Sequence, residues 1–259
     1  MRRFHTVGVA VAVALLGLSA GAATAAESIQ SLVQKVDAKL YYPQKEGMRS
    51  LQADAQSSWI AERLQNIPEG KNVQVRFYWS EPAKQRFVIG GAPESLADQV
   101  RQAERGLAMW GEQLVPKTLA LTLADYKCSL REDEKSFILD ASTTAPSARF
   151  PAMSYTIDKK TLLPTRWHLE TTNWTGDVDI KYDRQASGQF LPVEMKARPG
   201  QNDVTIRTAY KKVEKWTLAE SLTFSFVSDD GTTRTNSLRL SNFKINQPLP
   251  ADVFPADRR

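Results

Sequence analysis

From about residue 177 onward the chain alternates apolar and polar residues in short runs joined by short polar loops, a pattern that leaves few folds open. Val178, Ile180 and Tyr182 share one strand face, as do Leu191, Val193 and Met195, then Val204 and Ile206, then Leu222, Phe224 and Phe226. The connections DRQASGQ, RPGQND and SDDGT are polar and bear glycine, as hairpin loops do. Strands that follow one another through loops this short pair antiparallel, because parallel pairing needs crossovers of about a dozen residues or more. Strand-like runs lie near 48–60, 72–80, 84–90, 118–128, 135–141, 150–158, 165–172, 177–183, 190–198, 203–212, 221–228 and 234–246. The sequence predicts a β meander.

Two amphipathic helices interrupt it. ESIQSLVQKVDAKL places Ile29, Leu32, Val33, Val36 and Leu40 on one stripe, and Pro43 ends it. PESLADQVRQAERGLAMWGEQLVP puts Leu96, Val100, Ala103, Leu107, Trp110 and Leu114 on one face, with Pro116 as its stop. Gly106 and Gly111 weaken this helix by about 1 kcal/mol each against alanine. A meander of this length must curl and cover its apolar face, since a flat open sheet would expose it. The expected fold class is therefore mainly β with a few helices: a single curved antiparallel sheet, a half-open barrel, with the amphipathic helices packed in its concave side.

The first 26 residues stand apart. Arg2 and Arg3 precede an apolar run from Val7 to about Ala20, and Ala23-Thr24-Ala25 supplies a small-residue cleavage site. This is the layout of a secretory signal peptide, and the apolar stretch is too short for a good membrane span. Residues 1–26 are read as the signal peptide and 27–259 as one domain, periplasmic or otherwise exported and soluble after cleavage. Removing Arg2 and Arg3 with a segment that holds no acid takes the formal charge from +5 to +3. A balance this weak, with no block of like charges, gives no nucleic-acid partner.

The chemistry-bearing residues are sparse. Only His5 and His168 occur, with Cys128 as the one cysteine, so no intramolecular disulfide exists and no common zinc site assembles. His168 in LPTRWHLE falls opposite Trp167 and Leu169 in strand alternation and reads as solvent-facing. No nucleophile elbow, phosphate loop or dinucleotide fingerprint is present. Catalytic, cofactor-binding and metal sites are accordingly none. Paired carboxylates in REDE (131–134) and SDD (228–230) leave a carboxylate-dependent hydrolase as an alternative.

The hairpin NVQVRFYWSEPAKQRFVIGG is the most aromatic stretch. Val73, Val75, Phe77 and Trp79 share a face, and the return strand adds Phe87 and Ile89. Its core FYWSEPAKQRFVIGG, the hairpin YTIDKKTLLPTRWHLE and the closing SNFKINQPLPADVF together resemble the bacterial outer-membrane lipoprotein carrier and sorting superfamily, which includes LolA-like and LolB-like proteins and related periplasmic regulators. The resemblance spans most of residues 27–254. It implies a carrier that binds lipid or lipoprotein acyl chains in a hydrophobic cavity between half-barrel and helices, without enzymatic activity or cofactor. Its partners would be lipid or lipidated protein, with inner- and outer-membrane sorting components. The aromatic candidates to line such a cavity are Phe77, Trp79, Phe87, Trp110, Trp167, Phe224 and Phe226. An envelope sensor or structural protein on the same fold is the other alternative.

Overall fold

The computed structural model describes residues 27–145, 150–171, 175–198, 203–227 and 231–254. The expected signal peptide and the SDD carboxylates lie outside the described residues. After helix α1 (Ile29–Lys39) come β1 (Ser50–Ser57), the short α2 (Ser58–Ile60), β2 (Gln74–Ser80) and β3 (Lys84–Gly90). Helices α3 (Ala97–Leu114) and α4 (Leu119–Thr122) lead to β4 (Lys127–Glu132), β5 (Ser136–Ser142), β6 (Ala152–Asp158) and β7 (Pro164–Glu170). Strands β8 (Thr175–Arg184), β9 (Phe190–Ala197), β10 (Val204–Val213), β11 (Trp216–Val227) and β12 (Thr233–Ile245) complete the chain.

Among the described residues all twelve strands form one antiparallel sheet in the order β3-β2-β1-β12-β11-β10-β9-β8-β7-β6-β5-β4. Every neighbour in the sheet is a neighbour in sequence except β1 and β12, which bring the two ends of the chain together. The edges are β3 and β4, and they do not meet. The chain passes from one edge to the other through α3 and α4.

Packing around α3 curls the sheet. Trp110 stacks on Phe224 of β11 with ring centroids 4.1 Å apart, while the next residue, Gly111, lies against Gln85 of β3. Those strands are four positions apart, which on a flat sheet is about 19 Å. One helical turn touches both, so this half of the sheet wraps around the helix. Glu104 of α3 also accepts the backbone N–H of Ile89 on the edge strand at 3.0 Å, which blunts that edge against further pairing.

The helix-bearing face carries two cores. One joins Leu107, Trp110 and Leu114 of α3 to Phe77, Trp79, Phe87 and the inward residues of β1, β11 and β12. The other joins Leu32, Val33 and Val36 of α1 and Leu119 of α4 to Leu139, Tyr155, Ile157, Ile180 and Met195.

Residues 118–128, expected as a strand, divide into α4 and the start of β4. Leu119, Leu121 and Leu123 mimic strand alternation, but Leu119 and Leu123 are buried one turn apart while Leu121 is exposed. Thr118 caps the helix by accepting from the N–H of Leu121, and the buried Asp37 carboxylate accepts from Leu119 at 2.8 Å and Ala120 at 3.1 Å. A tertiary contact from α1 thus decides the local conformation. The 48–60 run likewise stops at Ser57, which caps α2, and β11 begins earlier than expected, at Trp216.

Candidate functional site

The aromatic candidates fall into two groups. Phe77, Trp79 and Phe87 lie beneath α3, each no more than 2% exposed, with Phe77 and Phe87 rings 5.0 Å apart. They are packed as core in this structure. Trp110 is buried in the same core, where it stacks on the half-buried Phe224.

Trp167 and Phe226 belong to a different place. Register sets Trp167 beside Val178, Val178 beside Ala197, Ala197 beside Val204 and Val204 beside Phe226, a continuous row across β7 to β11. One step along the strands runs a second row, Ile180, Met195, Ile206 and Phe224. Both rows face the helices, because Val178, Ile180 and Met195 are core residues there. Trp167, Ala197, Val204, Ile206, Phe224 and Phe226 are all only half-buried. Val204 and Phe226, opposite each other, pack into neither core. The two rows therefore run from the α1–α4 core, which holds Val178, Ile180 and Met195 and packs Trp167, Ala197 and Ile206, across Val204 and Phe226 to Phe224 at the α3 core, and form an apolar strip that bridges the two. Sequence alternation named Trp167, Phe224 and Phe226 but missed Ala197, Val204 and Ile206 as their neighbours, since only register brings them together.

The opposite face is ionic. Arg131 grips Asp140 through two hydrogen bonds of 2.8 and 3.1 Å, Arg166 meets Asp179 at 2.7 Å, and Glu194 takes Lys181 and Arg207 at 2.9 Å each. These cations hold the Asp140 and Glu194 carboxyls below their ordinary range. The face is a solvated ladder.

His168 stands on this face, as its alternation predicts, with Nδ1 2.8 Å from Asp177. Ser154 is its cross-strand neighbour, so serine, histidine and aspartate do align on β6, β7 and β8. The Ser154 hydroxyl is engaged by Asp140 instead. The flanking backbone N–H groups sit in a regular antiparallel ladder, which leaves no pair aimed at a developing oxyanion. Arg131, Glu132, Asp133 and Glu134 of REDE are spread along a strand and its turn, where Asp133 accepts the N–H groups of Lys135 and Ser136 at 2.8 and 2.7 Å. No group of three or more metal-ligating side chains is brought together among the described residues. No helix among them is long and apolar enough to cross a membrane.

No protein-family model matches the chain, and no curated protein matches it. Solved structures do. An outer membrane lipoprotein-sorting protein domain from Vibrio parahaemolyticus aligns over 85% of this chain and 93% of its own, at 14% identity and a TM-score of 0.38. A LolA superfamily protein from Nitrosomonas europaea aligns over 90% and 99%, at 12% identity and a TM-score of 0.33. MucA/MucB of Pseudomonas aeruginosa aligns over 82% and 91%, at 12% identity and a TM-score of 0.21. At likeness this remote, the reading of the site rests on the chain's own geometry.

Proposed function

We propose that the mature chain is an exported, non-enzymatic carrier that holds the acyl chains of a lipid or lipidated protein on the helix-bearing face of its open sheet. The observation that supports this reading is the half-buried strip of Trp167, Ala197, Val204, Ile206, Phe224 and Phe226, which bridges the two cores and leaves Val204 and Phe226 packed into neither. An acyl chain laid along it would bury methylenes at about 0.8 kcal/mol each, so ten in contact give roughly 8 kcal/mol before ordering costs. That is a reversible affinity, which suits a protein that must release what it binds. Phe77, Trp79 and Phe87 would join the site only where α3 lifts from the sheet, so the strip is the first contact and the aromatic hairpin a reserve.

Mass spectrometry of organic extracts from the purified mature chain, paired with titration of a fluorescent fatty acid, tests the reading. Lipid in the extract and saturable probe binding, weakened about tenfold or more by Phe226→Asp, are the expected results. A folded chain that yields no lipid and binds no probe would remove the carrier reading in favour of an envelope sensor or structural role.

A further inference from the structure

The sheet is weakly joined at one place. Among the described residues strands β9 and β10 pair over only four positions, from Val204 with Ala197 to Arg207 with Glu194. Beyond that rung they fork: β9 continues to Phe190 against β8, and β10 to Val213 against β11. On the outer, ionic face a cleft of about 410 Å³ opens at the fork, lined in part by Lys181, Glu194, Arg207, Ala209, Ser221 and Thr223. Pro192 lies on the parting side of β9 and has no N–H to donate across it.

The fork is spanned by hydroxyls and one inserted segment in place of a ladder. Tyr210 donates its hydroxyl to the carbonyl of Pro192 at 2.8 Å. Tyr41, just after α1, donates its N–H to Phe190 at 2.9 Å, and its hydroxyl accepts from the N–H of Thr217 at 2.9 Å. The two cores divide at the same seam. The strand residues of the α3 core all come from β1–β3 and β10–β12, and the α1–α4 core draws only Ile206 from beyond β9.

We infer that the β9–β10 junction is a hinge, and that the two halves of the sheet part there by unzipping from the fork. Tyr41 and Tyr210 are its latches. The four paired positions include Ala197, Val204, Met195 and Ile206, which lie in the apolar rows themselves. Opening the seam therefore widens the space between α3, which travels with one half, and α1 with α4, which travel with the other. The proposed use of the hinge, admission and release of an acyl chain, rests on the carrier reading; the hinge does not.

Hydrogen exchange on the mature chain tests the hinge without any ligand. Amides of residues 193–197 and 204–207 are expected to exchange about tenfold or more faster than those of β2 and β6, through an opening that the rest of the sheet does not share. Tyr41→Phe and Tyr210→Phe should speed exchange at the seam alone and raise the uptake rate of a fluorescent fatty acid by about threefold or more. Seam amides that exchange only with those of β2 and β6 would overturn the hinge. Faster seam exchange without faster uptake would overturn its role in gating. Early seam exchange in a chain that binds no probe keeps the hinge and removes the carrier reading.

Discussion

Two glycines in one helix should respond to the same substitution with opposite signs. By propensity alone, Gly106→Ala and Gly111→Ala would each stabilise α3 by about 1 kcal/mol. A Cβ at Gly111 would meet the Oε1, Cδ and Nε2 atoms of Gln85 at 2.9, 3.0 and 3.3 Å, the far end of a flexible side chain that can rotate away. A Cβ at Gly106 would meet the Trp59 ring at 2.6, 3.1 and 3.4 Å. That indole is rigid, and the Arg63 guanidinium sits 4.8 Å over its face. Overpacking of this kind costs roughly 1–3 kcal/mol, more than the propensity gain. Gly111→Ala should therefore raise stability by about 0.5–1 kcal/mol, and Gly106→Ala should lower it by about 1 kcal/mol. Urea denaturation midpoints at unchanged slope would read both. In a Trp59→Ala background the Gly106→Ala penalty should vanish. Equal stabilisation by the two substitutions would show that Trp59 does not press on α3.

Leu107→Ala should cost about 3 kcal/mol in the same assay, because the side chain is fully buried where α3 meets the sheet; a loss under about 1 kcal/mol would mean that the helix is not seated there. Asp37→Ala removes the acceptor of Leu119 N–H, Ala120 N–H and the Tyr42 hydroxyl, and should cost about 3 kcal/mol, with Asp37→Asn costing less. At high pH, burial raises the hydroxyls of Tyr155, Tyr182 and Tyr210 above the ordinary value of 10.0, so their contribution is complete below pH 10 and is lost as pH climbs beyond it. Circular dichroism should show an alkaline transition that Tyr182→Phe moves upward. At low pH, Asp158 accepts from Thr161 and Lys160 and titrates below 3.8, so its contribution is present above that value and fades as pH falls through the lowered pKa; Asp158→Asn should flatten the acid limb.

Strand alternation was enough to read most of the sheet, because period-two burial survives in Met153, Tyr155 and Ile157, although in β2 Tyr78 is buried along with Phe77 and Trp79. The hairpin around Asp158 was legible for the same reason, its turn being local. Where the reading went astray, a distant group had chosen the conformation. Leu119 to Leu123 look like a strand until Asp37, on another helix, caps their first turn. Gly106 looks like a weakness until Trp59 fills the space that a Cβ would need. The apolar strip was half visible: Phe224 and Phe226 announce a face, but their partners Ile206 and Val204 are fixed by register, which depends on both strands at once. The order of edges was invisible, since nothing local tells β12 to pair with β1.

The arrangement of edges also explains which face of the sheet the helices cover. Closing β3 onto β4 would complete a barrel and require a connection lying outside it. Here the link between those strands is α3 and α4, whose apolar residues must be buried, and the face they bury is the inner one. Among the described residues the outer face of β5 to β10 is ionic: Arg131 with Asp140, Arg166 with Asp179, and Glu194 with Lys181 and Arg207 lose hydration if hydrocarbon covers them. On the proposed carrier reading, apolar cargo would therefore take the helix-bearing face. On that face, α3 occupies one half and α1 with α4 the other, so what remains is the strip that crosses β9 and β10. Among the described residues the junction with the fewest paired positions, β9 with β10, is also the floor of that half-buried strip, and loosening the junction would enlarge it.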